Sequence, residues 1–463
     1  MNSRLLSIYQ SLPFPVKNFA SAIQGYKLNN RRSKNREKLL RLIEERDNWT
    51  RAQFEAWQKE ELKQMLDHAV KNVPYYRNMW KDIWSKDPSI SHLELKNWPI
   101  LEKNTIRKFP SEFIADNYKG QKLYDIHTSG TSGTPMCYWL DEDALSLWYA
   151  IYEHRIRRWN GISGKDNWAH FGAQMICKAD QKKPPFWTWN FAMHQLYLSC
   201  YHIHPKNTKY YIEALKKYKV KYMLGFVSSM YAIARDGLEQ GLEMPTLEVV
   251  ITNAEPLFEH QRETIAKAFK CKVLETYSGC EFAFGGNQDR SGKLYLWPEA
   301  GILQAVDEAG ILLPDGQVGD FIVTGLVNKV MPLIRFRVGD SGALLPKEKY
   351  TEQDRPFPIL QEVTGRTEDM IITPDGKLVI RLDPIFKGDL NIKEAQIIQE
   401  TKDLLKILYV PTTGFNQEQL DLIKHRLQDR VGSLMNIITE ETTSIPRTAN
   451  GKFKAVVSKL KKQ

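Results

Sequence analysis

Cysteine is scarce in this chain of 463 residues: Cys137, Cys177, Cys200, Cys271 and Cys280 are odd in number and include no Cys-x-x-Cys pair. Neither a disulfide framework nor a thiolate zinc site is indicated, and a reducing cytoplasm is the expected setting. Long apolar runs are missing as well. Charge-free stretches such as residues 222–234 fall short of the roughly 20 apolar residues that a membrane helix requires. Residues 1–19 mix Arg4, Gln10, two prolines and Lys17 among apolar residues, so they lack the unbroken apolar centre of a secretory signal and are expected to stay on the chain. Histidines assemble no site: His202 and His204 alternate in a strand-like run and His127 stands alone, with no metal-ligand or triad spacing.

What is present describes a multidomain globular protein. The length exceeds what one hydrophobic core usually organises, and 42% hydrophobic with 26% charged residues is ordinary for a folded chain. The formal charge of +10 sets up a positive field that favours anionic ligands, nucleic acid or an acidic membrane surface. A local cluster, Arg31, Arg32, Lys34, Arg36 and Lys38, could touch acidic lipid or nucleic acid; the plainer reading is a solvated helix face.

Residues Leu39, Leu40, Ile43, Phe54, Trp57, Leu62, Met65 and Leu66 approximate a helical stripe, which predicts a helical N-terminal segment over residues 1–110, packed on the core. From Ile126 the pattern alternates. Residues 210–218 and 258–269 read as helices, and 249–252 and 272–276 as strands, the signature of layered α/β architecture. After about Leu294, strand-like runs at 321–324, 333–336 and 342–345 predict a β-rich subdomain. A hairpin, 370–373 and 377–380 around Pro374-Asp375-Gly376, then opens a small α+β unit. The expected fold is therefore α/β: a large multi-sheet domain with a β-rich subdomain, the core spanning 111–367, and a small mobile α+β lid spanning 368–463.

The strongest local signal is Thr128-Ser129-Gly130-Thr131-Ser132-Gly133-Thr134-Pro135. Glycines let a backbone approach an anion, and neighbouring N–H and hydroxyl groups can surround phosphate oxygens, so a triphosphate is a natural guest. No Gly-Lys-Ser/Thr closes the loop, and Met136 with Tyr138 continues as a strand, which disfavours an ordinary P-loop. Taken alone, the segment also reads as a flexible surface turn.

Distant partners bear on that choice. Asn253-Ala254-Glu255-Pro256-Leu257, Tyr277-Ser278-Gly279-Cys280-Glu281, the segment from Pro332 to Asp340, Gly365-Arg366-Thr367-Glu368-Asp369 and Pro446-Arg447-Thr448-Ala449-Asn450-Gly451-Lys452 follow the loop in order. In this order the chain resembles the adenylate-forming superfamily of acyl-CoA synthetases, luciferases and peptide-synthetase adenylation domains. Met136 replaces the frequent lysine after the loop proline, a departure shared by the phenylacetate-CoA ligase-like branch, which Gly225-Phe226-Val227-Ser228-Ser229 also resembles. With its basic helical N-terminus the chain is most similar to the CapK-like proteins of surface-polysaccharide gene clusters within that branch.

The resemblance implies that Thr128, Ser129, Gly130, Thr131, Ser132, Gly133 and Thr134 hold ATP phosphates, with Asn253, Ala254, Glu255 and Pro256 at the adenine beside Tyr277 and Ser278. Asp340 would clamp the ribose, Arg366 add charge near ribose or α-phosphate, Glu368 serve as hinge, and Lys452 act as the catalytic lysine. Phe226, Ser228 and Gly279 would border the acid pocket. The chemistry suits these residue types. Carboxylate attack on the α-phosphorus brings anion against polyanion, so positive charge such as the Lys452 ammonium must bridge them. Glu281, catalytic in this reading, offers a hard oxygen to Mg²⁺ and Asp340 two acceptors to ribose hydroxyls. Each also has a plain reading: Lys452 as a surface charge, Glu281 as a helix-entry acid, Asp340 as a turn residue, Arg366 in a surface ion pair.

The expected function is thus activation of a small carboxylic acid as acyl-AMP with ATP and Mg²⁺, followed by acyl transfer, by default to CoA. Transfer to the amine of an amino sugar or amino acid is the alternative. A rival from another class is a noncatalytic nucleotide-binding, membrane-associated assembly protein. No nucleic-acid partner is expected; peripheral contact with an acidic membrane at its inner face is.

Overall fold

The computed structural model describes residues 8–31, 35–127, 136–178, 181–366, 371–375, 378–379, 382–386, 390–447 and 453–460. Helices Phe14–Arg31, Arg36–Arg46, Arg51–Asn72 and Pro74–Lys86 precede the strands. The third starts where Thr50 Oγ1 accepts from Gln53 N at 3.3 Å while Thr50 N donates to Gln53 Oε1 at 2.8 Å, a reciprocal cap that satisfies two otherwise orphaned donors. It buries Phe54, Met65, Leu66 and Ala69 on one stripe and stops at Val73, where Pro74 begins the next helix without needing an N–H.

Two short strands follow, β1 (Tyr124–His127) and β2 (Cys137–Leu140), paired antiparallel from Tyr124 with Leu140 to His127 with Cys137. The chain then builds β3 (Trp168–Gly172), β4 (Trp187–Asn190), β5 (Gln195–Ser199), β6 (Tyr222–Phe226), β7 (Val249–Asn253) and β8 (Lys272–Ser278). Helices Thr208–Lys217, Val227–Glu239 and Glu259–Phe269 connect the last four, and such crossovers are what parallel pairing demands. Successive residues of the central strands are buried on opposite faces of the sheet. Trp168, Tyr222, Leu224, Val249 and Ile251 enter one core, whereas Ala169, Phe171, Met223 and Val250 enter another on the opposite face.

The sheet continues antiparallel through β9 (Gly285–Gln288), β10 (Leu294–Leu296), β11 (Gly301–Val306), β12 (Gly319–Gly325), β13 (Phe336–Leu344) and β14 (Ile359–Arg366). Its spatial order is β11-β12-β13-β14-β10-β9-β8-β7-β6-β3-β5-β4, twelve strands in all. Beyond it lie the hairpin β15 (Ile371–Ile372) and β16 (Leu378–Val379), then β17 (Ile392–Thr401), β18 (Leu404–Pro411), β19 (Asn436–Glu441) and β20 (Val456–Ser458). These last four form a separate sheet ordered β19-β18-β17-β20, on which helix Gln417–Val431 packs Ile423 and Leu427 against Ile397 and Ile407. The expected α/β architecture, with a large sheet and a smaller C-terminal α+β region, is what the chain adopts.

Two local expectations need correction. The apolar run at 333–336 is not a strand: β13 starts only at Phe336, because Arg335 takes φ 48° and donates to Trp98 O at 2.6 Å and Gly310 O at 3.2 Å. His202 and His204 are not in a strand either. Short 3₁₀ turns, Cys200–His202 and Pro205–Asn207, carry the chain there, and His202 is held between Ser199 Oγ at 2.8 Å and Lys178 O at 2.9 Å.

Buried charges fasten the N-terminal helices to the sheet. His154 Nε2 lies 2.6 Å from Asp47 Oδ2, to which Trp159 Nε1 also donates at 2.7 Å. Beside them Arg155 donates to Glu299 Oε1 at 2.6 Å, with side chains 0% and 1% exposed. Removing one partner of a buried ion pair strands the other, so Glu299→Ala is expected to cost about 3–5 kcal/mol. The exposed pair Lys347–Glu55 is of the kind that contributes under about 1 kcal/mol, so Lys347→Ala is the matched control. Urea unfolding of both variants beside the wild type measures the difference.

Candidate active site

Three neighbouring parallel strands bring their carboxyl ends together. β6 ends at Phe226 and β7 at Asn253, which stand side by side in the ladder, and β8 ends at Ser278. Crevices of open α/β sheets form at such ends, where connectivity changes direction. Here β8 makes the change: residues 272–275 pair in parallel with β7, whereas residues 276–278 pair antiparallel with β9.

Tyr277 lies in that antiparallel stretch, and its hydroxyl donates to Asp340 Oδ2 at 3.0 Å. Asp340, on β13, stands opposite Arg366 of β14 in the ladder. Three motifs far apart in sequence therefore share one neighbourhood. Glu281 is buried and folds back over Gly279 so closely that a Cβ there would lie 1.8 Å from its Oε2. Glycine at 279 makes room for that carboxylate. Tyr138 is buried nearby; burial, and then the negative charge of Glu281, hold its phenol well above the ordinary range.

Backbone strain gathers in the same motifs. Ala254 sits at φ 61° and Phe282 at φ 55°, a region that costs a residue with a side chain on the order of 1–3 kcal/mol and persists where the surroundings impose it. Next to Ala254, the side-chain oxygen of Asn253 is buried without a hydrogen-bond partner among the described residues. An orphaned acceptor at a strand end suits a ligand that donates.

Glu255 behaves differently from its neighbours. Its carboxylate accepts from Ser228 N at 2.7 Å, Ser228 Oγ at 3.0 Å and Phe453 N at 2.9 Å. Ser228 and Glu255, assigned by sequence to different sub-sites, thus meet directly, and the residue after Lys452 closes on both. Together with Val227, Pro256, Phe258 and Ala455 they line a cavity of about 20 Å³, enough for roughly one water. Arg447, ion-paired with Glu394, stacks over the Phe453 ring at 4.8 Å. Phe453 carried no sequence signal, Tyr138 read only as part of the strand after the loop, and Arg447 lay within the C-terminal motif without a role. Phe226 is buried at the end of β6. Pro256 is at the cavity, and Ser278 closes β8 opposite Gly285.

Thr128, Ser129, Gly130, Thr131, Ser132, Gly133 and Thr134 lie outside the described residues, as do Glu368 and Lys452. The flanks of the loop are placed: His127 pairs with Cys137, and Met136 is buried. Among the described residues no group of three or more His, Cys, Asp or Glu side chains could hold a metal ion. A single carboxylate such as Glu281 is of the kind that can share Mg²⁺ with phosphate oxygens and water.

Residues 371–459 match the CapK C-terminal domain family. The chain is 25% identical over 409 residues to protein CapK of Staphylococcus aureus, covering 87% of this chain and 89% of that one. It is 24% identical over 326 residues to the phenylacetate-coenzyme A ligase of Pseudomonas putida, covering 68% and 71%. Its fold is similar to that of a 2-hydroxyisobutyryl-CoA ligase in a post-adenylation state, with TM-score 0.64, 18% identity, and 87% and 88% of the two chains covered. Along most of its length the chain is thus similar in sequence to phenylacetate-coenzyme A ligases, and it shares the fold of a CoA ligase. Its similarity to CapK spans most of both chains and is joined by the match of its C-terminal region to the CapK C-terminal domain family.

Burial outweighs the three donors on Glu255 and raises its pKa above the ordinary 4.5. The folded state then holds a proton more tightly than the unfolded state. The contribution of this group to stability is fully present below pH 4.5 and is lost as pH rises through the raised folded pKa. Glu255→Gln removes that loss. Urea unfolding from pH 4.5 upward is expected to show the stability difference moving in favour of the variant; a difference constant with pH would count against it.

Proposed function

We propose that this chain uses ATP to activate a carboxylic acid as acyl-AMP, releasing pyrophosphate, and then transfers the acyl group to CoA, releasing AMP. The observation that carries this reading is the Tyr277–Asp340 hydrogen bond at the mouth of β6, β7 and β8. It sets a ribose-binding carboxylate beside an aromatic ring on the floor of one crevice. The named activities of the phenylacetate-coenzyme A ligases support an acid as substrate and CoA as acceptor.

In this reading Asp340 holds the ribose hydroxyls and is itself held by Tyr277, so the clamp is oriented before the nucleotide arrives. Asn253 takes a donor from the base. Arg366 adds charge near the ribose or α-phosphate, and Thr128, Ser129, Gly130, Thr131, Ser132, Gly133 and Thr134 hold the phosphates. Phe226 and Gly279 border the acid, while Ser228 shapes that wall through Glu255. Glu281 would hold Mg²⁺, whose charge offsets that of the phosphates. Lys452 neutralises the carboxylate and phosphate oxygens as the carboxylate oxygen bonds to the α-phosphorus and pyrophosphate leaves. The thiol sulfur of CoA then bonds to the acyl carbon as the bond to AMP breaks.

Residues 111–367 form the ATP- and acid-binding core on which residues 1–110 pack, and residues 368–463 form the lid, with Glu368 as hinge. The lid must deliver Lys452 for the first step and clear space for the acceptor in the second. In this reading the hydrogen bond from Phe453 N to Glu255 belongs to one of the two positions the lid takes. The reaction is placed in the cytoplasm, a setting that suits five free cysteines.

Acid-dependent exchange of radiolabelled pyrophosphate into ATP, screened over a library of carboxylic acids, tests the first step. Lys452→Ala is expected to lower exchange by about 10²–10³-fold while leaving the fold intact, the loss typical of one transition-state donor. Near-normal exchange would remove the lysine from its role. Asp340→Ala is expected to weaken ATP binding by at least about tenfold, since hydrogen bonds to a charged group contribute about 1.5–3 kcal/mol each. Calorimetric titration with ATP reads that loss, and unchanged affinity would move the ribose elsewhere.

A further inference from the structure

The helix Phe14–Arg31 lies against the edge of the large sheet and is fixed there by polar contacts. Asn18 Oδ1 accepts from Trp189 N at 2.9 Å, Asn190 Nδ2 donates to Ser21 O at 2.9 Å, and Asn29 Nδ2 donates to Ala192 O at 3.0 Å. Gly25 comes so near that a Cβ on it would lie 2.4 Å from Asn190 Oδ1. These contacts set the rotation of the helix about its axis. The side turned away presents Val16, Phe19, Ile23 and Tyr26, which are 46%, 60%, 46% and 63% exposed. At about 100° per residue the four fall within an arc of roughly 80°, a continuous apolar row. Phe191, next to the Asn29 contact, is 51% exposed.

Such a row on a folded chain marks a place where something binds. In the sequence, the segment that carries it has charge of one sign. From Met1 to Arg36 there is no acidic residue, whereas Arg4, Lys17, Lys27, Arg31, Arg32, Lys34 and Arg36 are basic; the first acid is Glu37. Lys27, exposed, flanks the row on the helix itself. A second copy of this chain is a poor occupant, since it would bring two acid-free basic segments together. Nucleic acid would want the cations in the row, and the row is apolar. An interfacial helix that sinks an apolar face between lipid headgroups and keeps Lys and Arg beside it has this arrangement, and each basic residue near an anionic leaflet adds to the attraction.

We propose that the face Val16, Phe19, Ile23 and Tyr26 of this helix seats the protein on an anionic lipid surface, as a peripheral and salt-sensitive contact. No helix among the described residues is long and apolar enough to cross a membrane, so the contact lies on the surface. It stands independently of the acyl-transfer reading, because none of its residues belongs to the candidate site.

Sedimentation of the full chain with vesicles of phosphatidylcholine alone, or of equimolar phosphatidylcholine and phosphatidylglycerol, tests this. Binding to the anionic vesicles is expected to fall at high salt, and to fall at least about tenfold in the double variant Phe19→Ser with Ile23→Ser. Lys27→Glu should weaken binding with the apolar row intact. Both serines replace exposed side chains, so thermal melting should be unchanged; if it is not, Tyr26→Ser and Lys27→Glu carry the test. Absence of vesicle binding by the wild type, or equal binding by the variants, overturns the proposal. So does size-exclusion chromatography showing a dimer that the double serine variant dissociates, which would make a second copy the occupant.

Discussion

One strand pairing in two senses sets the geometry on which the candidate site depends. β8 runs parallel to β7 at its start and antiparallel to β9 at its end. The parallel part obliges helices to cross between strands and stacks their carboxyl ends in one row. The antiparallel part lets the chain turn directly into the β-rich half of the sheet, which carries Asp340. Tyr277 sits at the junction, and its hydroxyl bridges the two halves. With one pairing sense throughout, the ring and the carboxylate would belong to different neighbourhoods.

The same sheet determines where charge is buried and how it is compensated. Arg155 and Glu299 are almost wholly out of water, and each offsets part of the desolvation of the other. Asp47 extends this network to the N-terminal helices, so the segment before the sheet is held in a definite orientation. Glu255 follows another solution. Among the described residues no cation lies at hydrogen-bond distance from it, and it collects backbone and hydroxyl donors, one of them from the C-terminal region. Burial still leaves it a weaker acid than a carboxyl in water. The contact between core and C-terminal region thus runs through a group whose protonation the fold itself disturbs.

Orientation also explains why a modest helix gains meaning from its packing. Phe14–Arg31 taken alone has a broad mixture of apolar and polar positions; docked through Asn18, Ser21, Gly25 and Asn29, it has one covered side and one bare side. The charge lock further along the chain and these contacts at the sheet edge keep that bare side facing outward. The candidate site lies elsewhere, at the ends of β6, β7 and β8.

The alternation of helical and extended patterns was legible in the chain itself, because periodicity reports where successive side chains point. The α/β class and the C-terminal hairpin followed from them. The run at 333–336 was misread, since buried apolar residues look alike whether the backbone is extended or, as at Arg335, turned through positive φ. Which distant side chains meet was beyond local pattern altogether. Tyr277 with Asp340, Ser228 with Glu255 and Phe453, and the bare face of Phe14–Arg31 all depend on how strands are ordered across the sheet. That order is set by burial summed over the whole fold, which no short window of sequence contains.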